Sequence, residues 1–271
     1  MNLYGFVVND GVDTWDDFGL ALHAFDGTWN DKDQMKNHPT NVAILFNIYT
    51  DPLKFYYKGV GTNWWTKLPG GLTGAGGQNR INDAMRNLQV QLKQGDCVVD
   101  IVGFSRGAAE AREFANRIAR EGITNLKGGE LQVRFMGLFD TVASMGVPGD
   151  DSNPGYDLSI KKHVRYIAQA TANDEKRHFF PLHSIKSKPG DPNTTRRQEK
   201  GFPGAHSDIG GGYEDGDLSN GPLRWMWQKG RAVGVPFGPL PVDRRKVTKP
   251  RPHQEGGPQD PQRRIFYPVL P

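Results

Sequence analysis

The segment Cys97-Val98-Val99-Asp100-Ile101-Val102-Gly103-Phe104-Ser105-Arg106-Gly107-Ala108-Ala109 restricts the fold more than any other stretch of the chain. It passes from an apolar strand through a Gly-x-Ser-x-Gly turn into small residues that open a helix carrying Arg112, Phe114 and Ile118. A chain turns from strand to helix that sharply only with a strained serine backbone and no Cβ in the gap, and Gly103 and Gly107 meet the second condition. The turn lifts the Ser105 hydroxyl clear of the backbone. It also sets the Arg106 N–H at a helix N-terminus, where a developing oxyanion is stabilised. The bare pentapeptide also fits a structural serine in a tight turn. The strand before it and the amphipathic helix after it make Ser105 a candidate nucleophile.

A serine hydroxyl attacks an ester only when a base removes its proton, and that base needs a third group to fix its tautomer. His206 is the preferred base, because Gly204 and the run Gly210-Gly211-Gly212 around it permit close backbone approach. The other histidines have poorer settings: His23 inside an expected strand, His38 and His253 in polar loops, His163 among lysines, His178 and His183 beside a short extended piece. Asp140 is the preferred acid. It follows an expected strand and so lies at the carboxyl edge of the sheet with Ser105, in the chain order Ser, Asp, His. Asp208, two residues after His206, and Asp26 compete with it. Asp26 reads better as the organiser of its own turn, and the N–H groups of Gly27 and Thr28 are candidates for the second half of an oxyanion hole.

The rest of the chain alternates strands and helices. Strands are expected at Tyr4 to Val8, Gly19 to Phe25, Phe55 to Val60, Leu131 to Phe139 and Thr195 to Phe202. Helices are expected over Asn41 to Tyr49 with Thr40 as cap, Ile81 to Lys93, the segment after Ser105, Lys162 to Ala172, and Leu223 to Arg231. The alternation predicts an α/β fold, a mostly parallel sheet with helices on both faces. The glycine-rich loop from Gly61 to Gly77 is long for a connection, and its Trp64, Trp65 and Leu68 suit a lid or an apolar wall for acyl chains as well as plain packing.

The 271 residues suit one domain over 1–240 followed by a basic, proline-rich tail over 241–271. That tail holds much of the excess behind the formal charge of +4, and it reads as a solvated segment or one drawn to an anionic membrane surface. Nothing resembles an aromatic-interleaved basic surface for nucleic acid. The single cysteine, Cys97, excludes an internal disulfide framework and a cysteine-based metal cluster. No signal peptide is recognisable and no apolar run is long enough to span a bilayer, which predicts synthesis in the cytoplasm. Serine acyl transfer requires neither a metal nor another cofactor.

Four blocks, in order, resemble the signatures of one family: Phe25-Asp26-Gly27-Thr28-Trp29-Asn30, Gly103 to Ala108, Gly137-Leu138-Phe139-Asp140-Thr141-Val142-Ala143-Ser144, and Gly204 to Tyr213. The family is the α/β-hydrolase group that includes the GxSxG lipase effectors of bacterial type VI secretion. The resemblance implies an α/β-hydrolase fold and the roles of nucleophile, acid and base for Ser105, Asp140 and His206. For the effector members it further implies phospholipase A activity on membrane lipids, export through a type VI spike and a cognate immunity protein. A soluble esterase or acyltransferase with the same triad, or a binding module that keeps the fold without the chemistry, are the rival readings.

Overall fold

In the computed structural model, residues 20–28, 30–33, 37–59, 75–93, 98–124, 131–145, 153–187 and 195–256 are described. The expected strand at Tyr4 to Val8 lies outside them, as do Trp64, Trp65, Leu68 and Cys97. Six strands form one sheet: β1 (Leu20–Phe25), β2 (Lys54–Tyr57), β3 (Val98–Phe104), β4 (Gln132–Phe139), β5 (Val164–Ala172) and β6 (Arg196–Phe202). Their order is β2-β1-β3-β4-β5-β6, and every neighbouring pair is parallel. Parallel strands need crossovers, and helices α1 (Asn41–Ile48), α2 (Ala75–Lys93), α3 (Arg106–Arg120), α4 (His206–Gly210) and α5 (Asn220–Ala232) lie in the intervals between strands or after the last one. This is the expected mostly parallel sheet with helices on both faces.

Side chains along a strand alternate between faces, and the core divides accordingly. On one face Val102, Phe104, Phe135 and Phe139 pack with Val42 and Leu45 of α1 and with Leu223 and Met226 of α5. On the other, Val99, Ile101, Val133 and Met136 pack with Ile81 and Leu88 of α2 and with Phe114 and Ile118 of α3. Thr40 caps α1 as expected, its Oγ1 accepting the Ala43 N–H at 3.1 Å. Helix α2 starts at Ala75, earlier than the pattern from Ile81 predicts, so Gly76 and Gly77 are helical. A Cβ on Gly77 would run into the Tyr156 hydroxyl and lie 2.9 Å from Glu110 Oε1 of α3, so close packing against both explains why glycine stands there.

One element is of the wrong type. The segment expected as a helix over Lys162 to Ala172 is β5, buried at every position except Arg165. Its alanines favour a helix on propensity, but they also suit an interior strand covered on both faces. Burial between β4 and β6 overrides the local preference. Residues 241–256 of the basic tail are mostly exposed, as a solvated segment would be, and hydrogen bonds tie them to the body. The Asp217 carboxylate accepts the Thr248 and Lys249 N–H groups at 2.6 and 2.8 Å, and Asn220 Nδ2 donates to the Asp243 and Lys246 carbonyls. Among the described residues no helix is long and apolar enough to cross a membrane.

Candidate active site

Ser105 sits between β3 and α3 with φ 58° and ψ −126°, a backbone conformation that side chains rarely adopt. Strand β4 and helix α3 together hold it there: its N–H donates to the Phe139 carbonyl at 3.0 Å, and its own carbonyl accepts the Ala108 and Val142 N–H groups. The two glycines do what the sequence requires of them. A Cβ on Gly103 would meet Ala108 Cα at 2.7 Å, and one on Gly107 would meet the Asp26 carbonyl oxygen at 2.5 Å. The end of strand β1 therefore packs directly against the first turn of α3.

Asp140 follows directly after β4, also with positive φ (40°), and is fully buried. Its Oδ1 accepts the Ala172 N–H at 2.9 Å and its Oδ2 lies 2.6 Å from His206 Nδ1. His206 is the first residue of α4 rather than part of an irregular turn, and only 4% exposed. Its ring packs between Phe104 at 4.7 Å and Phe180 at 4.9 Å. With Nδ1 committed to Asp140, Nε2 has no hydrogen-bond partner among the described residues. Ser105 and His206 both line a cavity of about 620 Å³, a size suited to a small ligand or an acyl chain. An imidazole oriented by a buried carboxylate through one nitrogen keeps the other available to accept a proton.

The rival acids are spoken for. Asp208 Oδ2 accepts the Ala205 N–H at 2.9 Å, and its Oδ1 lies 2.7 Å from His253 Nδ1, a partner that the sequence does not suggest. Asp26 organises its turn: it accepts from the Gly27 N–H at 2.7 Å, Thr40 Oγ1 at 2.6 Å and the Tyr56 hydroxyl at 2.5 Å. Burial raises the Asp26 carboxyl above its usual range despite these bonds. The end of the following strand, β5, leads to Asp174, whose carboxylate holds the Gly204 N–H at 2.6 Å instead of the histidine. Of these aspartates, Asp140 is the one on the His206 ring.

The oxyanion candidates separate. The Gly27 N–H is committed to Asp26, whereas Thr28 and Arg106 line the cavity. Beneath the elbow, Arg80 pairs with Glu110 of α3 at 3.1 Å and donates to the Asp26 and Tyr57 carbonyls, tying the ends of β1 and β2 to that helix. Burial pushes the Glu110 carboxyl up to about 7 and the Arg106 guanidinium down to about 10, each partly offset by their mutual attraction. Sequence reasoning also misses Arg177, Phe180 and Glu255 on the cavity wall. The run Asp174-Glu175-Lys176-Arg177 reads locally as an ordinary solvated charge cluster.

No curated protein matches the chain. A solved structure of an uncharacterised protein from Pseudomonas aeruginosa superposes with a TM-score of 0.62 at 24% identity, covering 85% of this chain and 47% of the other. The Tle1 effector bound to the VgrG spike of a type VI secretion system is 29% identical, with a TM-score of 0.49, covering 72% of this chain and 51% of that one. The RedJ thioesterase of the prodiginine pathway of Streptomyces coelicolor is 13% identical with a TM-score of 0.46, covering 80% of this chain and 87% of the other. The chain thus spans about half the length of the first two. A family model, the catalytic domain of Tle1-like phospholipase effectors of type VI secretion, matches residues 22–132 and 124–229. With the greater part of its length matched, the chain belongs to the family of Tle1-like catalytic domains.

Proposed function

We propose that this chain is a serine hydrolase that cleaves acyl esters of phospholipids, a phospholipase A activity, with Ser105 as nucleophile, His206 as base and Asp140 as its orienting acid. The observation that carries the reading is the 2.6 Å contact of Asp140 Oδ2 with His206 Nδ1, on a ring that shares its cavity with a strained serine. In the reaction, His206 Nε2 takes the Ser105 proton as the oxygen attacks the ester carbonyl. Collapse of the tetrahedral intermediate expels the lysophospholipid alkoxide, which takes that proton from His206. Water, deprotonated by the same nitrogen, then attacks the acyl-enzyme and releases the fatty acid. The backbone N–H groups of Arg106 and Thr28 are the proposed donors to the oxyanion. Family membership supports the phospholipid substrate. It also supports delivery into a target cell through a type VI spike, such as the VgrG that Tle1 binds; synthesis in the cytoplasm and a cognate immunity protein are further parts of the proposal.

Product analysis after incubation with mixed phospholipid vesicles tests this. The wild type is expected to release fatty acid and lysophospholipid, and Ser105→Ala to lose at least about a thousandfold in rate. A loss below about tenfold in a folded Ser105→Ala protein overturns the nucleophile. Cleavage of short soluble esters without vesicle hydrolysis would make the chain a soluble esterase. Failure of a fluorophosphonate probe to label Ser105, with neither substrate cleaved, would leave a binding module.

A further inference from the structure

We infer that Arg177 takes the phosphate of the substrate headgroup, and that the Glu255 carboxylate stands in for that phosphate in the unliganded protein. This deepens the phospholipid reading above and rests on it. Arg177 lines the cavity that holds Ser105 and His206. Its guanidinium is fixed rather than free-swinging: Nε and Nη2 donate to the two carboxylate oxygens of Glu175 at 2.9 and 2.6 Å. Its face lies over the Phe180 ring at 3.6 Å. Glu175 is itself buried, and the Oε2 that pairs with Arg177 also accepts the His206 N–H at 3.2 Å. Phe180 in turn packs edge-on against the His206 ring. Two separate contacts therefore index the cation to the proposed base.

The bidentate pair with Glu175 uses one edge of the planar fork and leaves Nη1 directed elsewhere. What it faces is Glu255 Oε2 at 3.6 Å, an ion pair too long for a hydrogen bond. Glu255 comes from the C-terminal segment, and two residues earlier that segment is clamped by His253 between Asp208 at 2.7 Å and Asp215 at 2.9 Å. Glu175 is the close, bidentate partner of Arg177, and Glu255 is a second, longer one on the cavity wall. A phosphodiester monoanion that displaced it would leave the local net charge unchanged and offer a better-aligned acceptor. A neutral ester offers such a cation no anionic group to bind. A substrate that carries a phosphate close to its acyl esters offers one.

Calorimetric titration of the full chain tests this with a short-chain diether phosphatidylglycerol below its micellar concentration, which has no ester to hydrolyse. The matching dialkylglycerol without phosphate serves as the neutral reference. The wild type is expected to prefer the phosphodiester by about tenfold or more, as for a hydrogen bond to a charged group. Arg177→Gln should bring that ratio close to one, and Arg177→Lys should restore part of it. Glu255→Gln, on an accessible segment where misfolding is not a concern, should tighten phosphodiester binding roughly threefold. A preference that survives in folded Arg177→Gln, or phosphodiester binding indifferent to Glu255→Gln, overturns the assignment. Inorganic phosphate binding as tightly as the diether lipid would make this a free-phosphate site and overturn the headgroup role. Because the ligand cannot be cleaved, diether binding with no vesicle hydrolysis would sink the hydrolase reading alone. Vesicle hydrolysis with no Arg177-dependent preference would sink this one alone.

Discussion

Substituting Asp140 by asparagine changes one atom and, through the hydrogen bonds around it, the position of a proton on His206. Asp140 Oδ1 accepts the Ala172 N–H at 2.9 Å, and that donor has no other use for the site than an oxygen. In Asp140→Asn the amide oxygen therefore stays on Ala172 and the NH2 group takes the place 2.6 Å from His206 Nδ1. An NH2 can only donate, so Nδ1 must accept and the ring proton moves to Nε2. An imidazole protonated at Nε2 cannot take a proton from Ser105. The expected loss is about 10³–10⁴-fold in turnover, which corresponds to roughly 4–5.5 kcal/mol of barrier. Flipping the amide would keep an acceptor on His206 Nδ1 and spare turnover, but its NH2 would then face the Ala172 N–H, and an unmet buried donor costs about 1–3 kcal/mol of stability. Turnover of a soluble ester and a urea midpoint, measured on one preparation, distinguish the two orientations. A loss below about tenfold with an unchanged midpoint refutes the tautomer argument. Asp208→Asn is the matched control. It disturbs the anchoring of His253 and must cost far less turnover than Asp140→Asn if Asp140 is the acid.

Two further expectations concern stability. Burial lowers His23 from 6.5 to about 4, against a hydrogen bond to Gln91 that raises it. The folded value lies below the unfolded one, so the neutral ring's contribution is complete above about pH 6.5 and is lost as pH falls toward 4, amounting to about 3 kcal/mol. The urea midpoint of the wild type should fall over that window and that of His23→Gln should fall less; parallel curves would show that His23 is not the responsible group. Gly103→Ala should destabilise the protein by about 1–3 kcal/mol or prevent folding, because the new Cβ meets the Ala108 backbone at 2.7 Å. A midpoint within error of the wild type would mean that the elbow can relax.

Most of the sheet is legible in the sequence because its strands carry strong local signals. Strand β3 is apolar and runs straight into a motif whose geometry admits one kind of connection. Helix α1 has both an apolar face and a capping threonine. Strand β5 lacks such a signal. Val164-Arg165-Tyr166-Ile167-Ala168-Gln169-Ala170-Thr171-Ala172 has neither the alternation of a half-buried strand nor a run of β-branched residues, and its alanines favour the opposite choice. Only the place between β4 and β6 makes it a strand. Buried Gln169 shows the same logic, since its amide donates to the His183 carbonyl and to Glu199 across the neighbouring strand, partners absent from any local window.

The site divides along the same line. Ser105, Asp140 and His206 announce themselves because each needs a glycine or a strand end beside it, and those requirements are written within a few residues. The local elimination of rivals is less secure than the choice itself. Asp208 lies two residues from His206 in sequence, yet the first turn of α4 directs its carboxylate to the Ala205 N–H and to His253, while Asp140, 66 positions away, reaches the ring. A histidine of a basic, proline-rich tail thus occupies the nearest competitor for the role proposed for Asp140. The remainder of the cavity wall obeys the same rule. Arg177, Glu175 and Glu255 carry no motif, because an ion pair places no demand on backbone conformation and so leaves no mark in the local sequence. Chemistry that depends on backbone geometry can be read from one sequence; recognition by side-chain charge becomes visible only when the fold brings the charges together.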